Sequence, residues 1–294
     1  MRYAYYPGCS LHHSAREYDM SIRLVFHHLG IGLLEIEDWV CCGSTPAHMT
    51  NELLSIALPI ENMLWAEERG MDIAMPCAAC FSAMKTASVR MKEPEVKRRV
   101  EAILEARYDG RARVRHALQV VVNDYGLSQV EEKVRLRLKG LKAAAYYGCL
   151  LTRPPKVKEF DDPENPQVMD RLLDAIGAEP VKWSHKTVCC GASFAATEPR
   201  IVWKLSYDIL AKARKAGAEC IVVACPLCHP NLDLNQAEIE AQYEESFDMP
   251  VFYFSQIMGI ALGLEPRALG LDKNVVEPWK VLSRFIEVDI RSYR

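Results

Sequence analysis

The sequence predicts an α/β protein made of two pseudo-symmetric βαβ modules of Rossmann-like type. Each module has a parallel sheet and a cysteine cluster site at the carboxyl ends of its strands. Three observations predict this. The cysteines repeat at nearly fixed spacing, short β-rich runs end directly at a cysteine, and helix-period segments separate those runs. Alternating strand and helix implies βαβ units, and open sheets of that kind receive their ligands at the carboxyl ends of the strands.

The repeat is read from ten of the eleven cysteines. From Cys9 through the pair Cys41-Cys42 to Cys77 and Cys80 the chain reads C-x31-C-C-x34-C-x-x-C. From Cys149 through the pair Cys189-Cys190 to Cys225 and Cys228 it reads C-x39-C-C-x34-C-x-x-C. The flanks repeat too: Ala4-Tyr5-Tyr6-Pro7-Gly8-Cys9 answers Ala145-Tyr146-Tyr147-Gly148-Cys149, and Val40-Cys41-Cys42-Gly43-Ser44 answers Val188-Cys189-Cys190-Gly191-Ala192. A duplicated module follows, with residues 1–140 as the first and 141–294 as the second. Cys220 has no counterpart and stands before Ile221, Val222 and Val223, which reads as a core cysteine of a buried strand.

In chain order, residues 3–6 form the first strand and about 14–29 the first helix. About 51–69 form a second helix, and 73–75 a strand that runs into Cys77-x-x-Cys80. Residues 91–140 read as a charged helical insertion. Across its start, residues 90–115 hold nine Lys or Arg against five Asp or Glu. That stretch is a solvated amphipathic helix with Val96, Val100, Ile103 and Leu104 inward, in preference to a basic docking face for an acidic partner. The second module repeats the plan with strands at 143–147 and 221–224, helices at about 168–176 and 199–216, and a loop at 161–166. The tail from 274 to 294 carries Trp279, Leu282, Phe285, Ile286 and Ile290, which suit packing on its own core or on a partner.

Composition excludes several classes. With 294 residues, half of them hydrophobic and 26% charged, the chain is neither disordered nor a coiled coil. The N-terminus has no apolar signal-peptide core. The longest apolar run, about 251–264, is interrupted by Ser255, Gln256 and two glycines, so no membrane insertion is expected. A net charge of −3 leaves no nucleic-acid footprint. The expected location is the cytoplasm, where thiols stay reduced, so the cysteines read as metal ligands or redox groups and not as disulfides.

Their number narrows the chemistry. A structural zinc ion takes four ligands, usually from two well-separated pairs, whereas each half here offers five cysteines including a vicinal pair. Adjacent side chains converge poorly on one small ion but suit two neighbouring metals. Soft thiolates select iron–sulfur, zinc or Cu(I), and five exceed the four that hold an ordinary cubane, which favours an unusual multi-iron cluster. A thioredoxin-like reading of the two CxxC elements explains four cysteines and leaves six without a role.

Two tandem C-x31–39-C-C-x34-C-x-x-C modules, with Gly after each vicinal pair and Pro76 or Pro226 adjacent to each CxxC, resemble the CCG (cysteine-rich) domain family. The double module and the absence of ferredoxin-type cysteine runs resemble in particular the branch of that family formed by the B subunit of heterodisulfide reductase. The stretch Cys41 to His48 resembles the version found in heterodisulfide-reductase-like complexes of bacteria and other non-methanogens. The resemblance implies two noncubane [4Fe-4S] clusters, one held by Cys9, Cys41, Cys42, Cys77 and Cys80, the other by Cys149, Cys189, Cys190, Cys225 and Cys228. It implies a catalytic subunit that reductively cleaves, or reversibly forms, a disulfide in a cavity between the two. A persulfide or thiol of sulfur metabolism is the alternative substrate. A non-catalytic electron relay and a zinc-bound structural protein are the alternative functions. The implied partners are a ferredoxin-type iron–sulfur subunit and a flavin subunit, since no G-x-G-x-x-G fingerprint for a flavin or nucleotide occurs here.

Among other residues, His48, six past Cys42, and His229, abutting Cys228, are the candidate proton donors. Arg153 and His185 are weaker candidates for binding an anionic substrate. The pairs His12-His13 and His27-His28 flank a helical segment and suggest nothing catalytic.

Overall fold

A computed structural model describes residues 1–44 and 47–287. The first sheet comprises β1 (Arg2–Tyr5), β2 (Gly32–Glu35), β3 (Ile73–Met75) and β4 (Val114–His116) in the order β2-β1-β3-β4. The second comprises β5 (Lys142–Tyr146), β6 (Glu179–Pro180), β7 (Cys220–Val223) and β8 (Val251–Tyr253) in the order β6-β5-β7-β8. Every pairing is parallel, and the two orders are the same pattern written twice. The fold class is therefore the expected α/β architecture of two similar modules.

The four strands foreseen are the central ones, and each is buried along nearly its whole length. Parallel strands covered on both faces read as continuous apolar runs, which is why they were visible. The four missed are edge strands or short. β2 is half-buried, β6 has two residues and ends in Pro180, and β4 is Val-Arg-His. β8 runs straight into the apolar helix Phe254–Ala261, so periodicity has no boundary to detect.

β4 corrects the reading of residues 91–140 as an insertion. In the first half the chain passes from β3 through helices Ala78–Arg90 and Pro94–Leu104 to β4. In the second it passes from β7 through Cys228–Leu232 and Gln236–Tyr243 to β8. The segment after each fourth strand also repeats. His116 N donates to Gln119 Oε1 at 3.1 Å, and Tyr253 N donates to Gln256 Oε1 at 3.0 Å, the same turn-closing contact at the same place. Residues 91–116 thus complete the first module. On the helix Pro94–Leu104, Val100 is buried as expected, whereas Ile103 is 56% exposed.

The halves share one continuous apolar core. Tyr18, on helix Arg16–Leu29, stacks on Tyr253 at the end of β8, with ring centroids 3.9 Å apart. Beside that pair, Ser21 Oγ and Ser255 Oγ share a hydrogen bond of 2.7 Å. Trp279 and Leu282 of the tail are buried on the chain's own core, and Phe285 and Ile286 pack against it. Ile290 lies outside the described residues.

Candidate metal centre between the two halves

In a sheet ordered β2-β1-β3-β4 the chain leaves β1 to one side and β3 to the other, so a crevice opens where their carboxyl ends part. Cys9 lies in the first helical turn after β1, while Cys77 caps and Cys80 enters the helix that follows β3. Cys149 and the Cys225–Cys228 segment hold the same positions after β5 and β7. The vicinal pairs follow the edge strands β2 and β6 and come back to the CxxC elements. Cys42 Sγ lies 3.2 Å from Cys80 Sγ, and Cys190 Sγ 3.5 Å from Cys228 Sγ.

The two sites also meet each other. Cys77 and Cys225, the first cysteines of the two CxxC elements, lie close enough across the halves for each thiol to shift the acidity of the other. Six of the ten thiols (Cys42, Cys77, Cys80, Cys190, Cys225 and Cys228) are buried; Cys149 is partly accessible, and Cys9, Cys41 and Cys189 are exposed. Each set therefore runs from the interior to the surface. Cys220 is separate, fully buried in the middle of the core strand β7, where burial raises its thiol pKa well above the usual value.

Local structure is shaped around the sulfurs. Gly8 and Gly148 have φ of +70° and +67°, and a Cβ on them would lie 3.2 Å from Cys80 Sγ and 3.3 Å from Cys228 Sγ. Glycine meets both demands at once, a left-handed backbone and room for a thiol. Backbone amides then turn toward the vicinal pairs: Gly43 N donates to Cys41 Sγ at 3.5 Å and Gly191 N to Cys189 Sγ at 3.3 Å. Asn231 Nδ2 donates to Cys190 Sγ at 3.4 Å and to its carbonyl at 3.1 Å.

Tyr6 and Tyr146 anchor the loops from below. The Tyr6 hydroxyl donates to the Val40 carbonyl at 2.9 Å, and the Tyr146 hydroxyl to the Val188 carbonyl at 2.6 Å, in each case the residue before the vicinal pair. This fixes the register of the repeat. Tyr6 matches Tyr146 and Pro7 matches Tyr147, so the two flanks align without the gap that matching Tyr5-Tyr6 to Tyr146-Tyr147 requires. On the opposite side of the first loop, Asn62 brackets Val40 by accepting from its amide and donating to its carbonyl, each at 3.0 Å.

The histidines are placed apart from one another. His48 is exposed and lines a cavity of about 340 Å³ with Gly43, Ser44 and Ser193. His229 is buried, with Nε2 3.0 Å from the Val251 carbonyl and its ring stacked on Tyr253 at 4.3 Å. Burial lowers its pKa to about 4, so at neutral pH it has no imidazolium proton to give. Arg153 donates to Glu164 at 2.8 Å beside Cys149, and His185 shares a bond with Ser184. His12 pairs with Glu35 at 3.1 Å on the surface.

Sequence reasoning missed Tyr18. Its hydroxyl is buried and has no hydrogen-bond partner among the described residues, and Cys225, Cys77 and Cys228 lie near enough to act on it electrostatically when ionised. A buried hydroxyl without an acceptor costs on the order of 1–3 kcal/mol, and a sulfur-rich group held between the thiols would supply that acceptor. Among the described residues no three Cys, His, Asp or Glu side chains converge on a position for one metal ion. Close thiol pairs, amides aimed at sulfur and an orphaned hydroxyl fit a thiolate-held group of several metals better than a single ion.

Comparison with known proteins agrees with this geometry. Among curated proteins, the chain is 30% identical over 282 residues to the 8-methylmenaquinol:fumarate reductase membrane anchor subunit of Wolinella succinogenes, covering 95% of this chain and 98% of that one. It is 28% identical over 290 residues to the B subunit of the ferredoxin/F420H2-dependent CoB-CoM heterodisulfide reductase of Methanosarcina acetivorans, covering 96% of each. A protein of Archaeoglobus profundus, named for its likeness to the B subunit of heterodisulfide reductase, is 29% identical over 90% of this chain and 92% of its own. Among solved structures, a hypothetical protein from Helicobacter pylori has the same fold, with a TM-score of 0.75 at 12% identity over 94% of this chain. This chain spans 52% of that one. Among the described residues no helix is long and apolar enough to cross a membrane. The cysteine-rich CCG domain matches residues 3–85 and 143–233, each match enclosing one of the two cysteine sets, and the chain belongs to that family.

Proposed function

We propose that this chain is the catalytic iron–sulfur subunit of a heterodisulfide-reductase-type complex. The observation that carries the reading is the meeting of two complete five-cysteine sets at Cys77 and Cys225, one set from each half. Cys9, Cys41, Cys42, Cys77 and Cys80 hold one noncubane [4Fe-4S] cluster, and Cys149, Cys189, Cys190, Cys225 and Cys228 the other. Bound there, the clusters supply single electrons and Lewis-acidic iron for the two thiolates released when a disulfide is cleaved. The chain's own part is to hold two like sites face to face for two like sulfurs. His48, exposed and lining the 340 Å³ cavity, is the histidine that would exchange protons with solvent, while His229, buried and outside that lining, would not take part. Electrons pass to or from a ferredoxin-type iron–sulfur subunit and a flavin subunit, in the cytoplasm, where thiol ligands stay reduced.

Iron, acid-labile sulfide and zinc in anaerobically purified protein test the reading. About eight irons per chain is the expected result, and stoichiometric zinc with little iron overturns it. One observation favours a second reading, an electron relay: the relative from Wolinella, matched along 98% of its length, is named for fumarate reduction and not for a disulfide. Oxidised protein titrated with thiols separates the two, since a cluster EPR signal that no thiol changes belongs to a relay.

Tyr18→Phe gives a further check on the cluster sites. A hydroxyl that donates to cluster or ligand sulfur stabilises the more negative, reduced state. The variant is expected to keep its iron and to have a more negative reduction potential in an EPR-monitored redox titration. An unchanged potential would mean that the hydroxyl faces nothing.

A further inference from the structure

Among the described residues, Lys158 is the charged side chain whose burial is least compensated. It ends the short helix Pro155–Lys158 in the second half and has no exposed surface. Its ammonium crosses to the first half and donates to the Ser82 carbonyl and to Thr86 Oγ1, each at 3.0 Å. Neither acceptor is charged. The neighbouring acid, Glu159, is mostly exposed and pairs with Lys85 at 3.2 Å, so it is spent on another lysine. A buried ammonium without a carboxylate costs several kcal/mol of desolvation that two neutral hydrogen bonds offset only in part. Burial lowers its pKa to about 8, which leaves it largely charged at pH 7.

The helix that receives this charge is the one opened by Cys77 and Cys80, and its Ser82, Thr86 and Arg90 line the 340 Å³ cavity. The opposite walls are Gly43 and Ser44, which follow the first vicinal pair, with Leu150 and Ser193 from the second half. The cavity is thus bounded by residues adjacent to cysteines of both sets. Arg90 is held by Glu52 at 2.6 Å and Glu93 at 2.7 Å, so its charge is already balanced. Among the described residues the Thr86 hydroxyl accepts from Lys158 and donates to none, which leaves its own proton for the cavity.

We infer that Lys158 and Thr86 form a charge-selecting pair, through which the cavity takes a compact thiol or disulfide bearing an acid group. This deepens the proposed function and rests on it. Thr86 would touch the ligand, and Lys158 is a positioning residue that acts through it. The ammonium polarises the Oγ1–H bond, and an anion on the cavity side completes the compensation that the protein withholds. A volume of about 340 Å³ lies at the small end for ligand sites, so the ligand is compact.

The test compares 3-mercaptopropionate with 3-mercaptopropan-1-ol, which share size and thiol and differ in the acid. Calorimetry on the anaerobic, cluster-loaded protein reads binding, and EPR of the oxidised protein reads contact with the clusters. Wild type is expected to bind the acid about tenfold or more tightly than the alcohol. Lys158→Met and Thr86→Val are each expected to erase that preference with iron content unchanged, and Lys158→Arg to keep it. Replacing an uncompensated buried charge by an apolar side chain of similar length does not endanger folding, and iron content checks this. Equal affinities in wild type, no binding of the acid, or a preference that survives in Lys158→Met overturns the inference. Binding of the acid without any EPR change retains the pair and sinks the catalytic reading; an EPR response to both thiols without preference does the reverse.

Discussion

Replacing Cys42 by serine is expected to remove half of the iron, from about eight to about four per chain, and all disulfide-dependent turnover. Cys42 is buried and its sulfur lies 3.2 Å from that of Cys80, so it stands at the centre of the first set and not at its rim. Serine is shorter, harder and far less acidic, and the neighbouring Cys41 faces the amide of Gly43 and cannot take its place. The second set should survive because its sulfurs are carried by separate loops, and the contact between sets runs through Cys77 and Cys225. Cys220→Ser is the matched control. It places a hydroxyl in an apolar strand at a cost of about 1–3 kcal/mol but should keep all the iron. Iron and acid-labile sulfide assays on both variants check the pair. Full iron in Cys42→Ser, or half in Cys220→Ser, would reverse the assignment of ligands and bystander.

Much of this site was legible because cysteine spacing is a sparse, rigid signal. The interval from each vicinal pair to its CxxC is identical in the two halves and spans a helix and a central strand in both, so its length is fixed by the fold. The central strands were equally legible, since burial on both faces makes them continuously apolar. What stayed hidden was long-range or polar. Tyr18 lies far in sequence from Tyr253 and from Cys225, and nothing in a helix of ordinary composition marks it as facing another half. Lys158 sits in a Lys-x-Lys stretch that reads as surface, and only the packing of its short helix on Ala78–Arg90 buries it. β4 was lost because Val-Arg-His carries a charge in its middle, and its role became visible through its twin, β8.

Asp170→Ala is expected to be the most destabilising single change outside the cysteines, by roughly 3–5 kcal/mol. Asp170 Oδ1 accepts from Lys186 Nζ at 2.8 Å with both side chains at most 10% exposed, and Oδ2 accepts from the Tyr147 hydroxyl at 2.7 Å. Alanine would leave the ammonium with the Pro166 carbonyl alone, at 3.0 Å, and a buried cation that loses its carboxylate is costly. For a chain of this size that corresponds to a fall in Tm of about 5–8 °C. The network also shapes the candidate metal centre. The Lys186 carbonyl accepts from the amides of Tyr147 at 2.8 Å and Gly148 at 3.1 Å, which tie the Cys149 turn to the segment leading to Cys189 and Cys190. The first half has Pro7 where the second has Tyr147, so it has no tyrosine hydroxyl there to close such a network. Heating Asp170→Ala should therefore release iron from the second set first, leaving about four irons per chain in a partly heated sample. The double variant Asp170→Leu with Lys186→Met should recover most of the lost Tm, since removing both charges removes the desolvation cost along with the attraction. A Tm within about 2 °C of wild type in the single variant, or iron lost from both sets together, would show that this pair neither stabilises the module nor holds its loop.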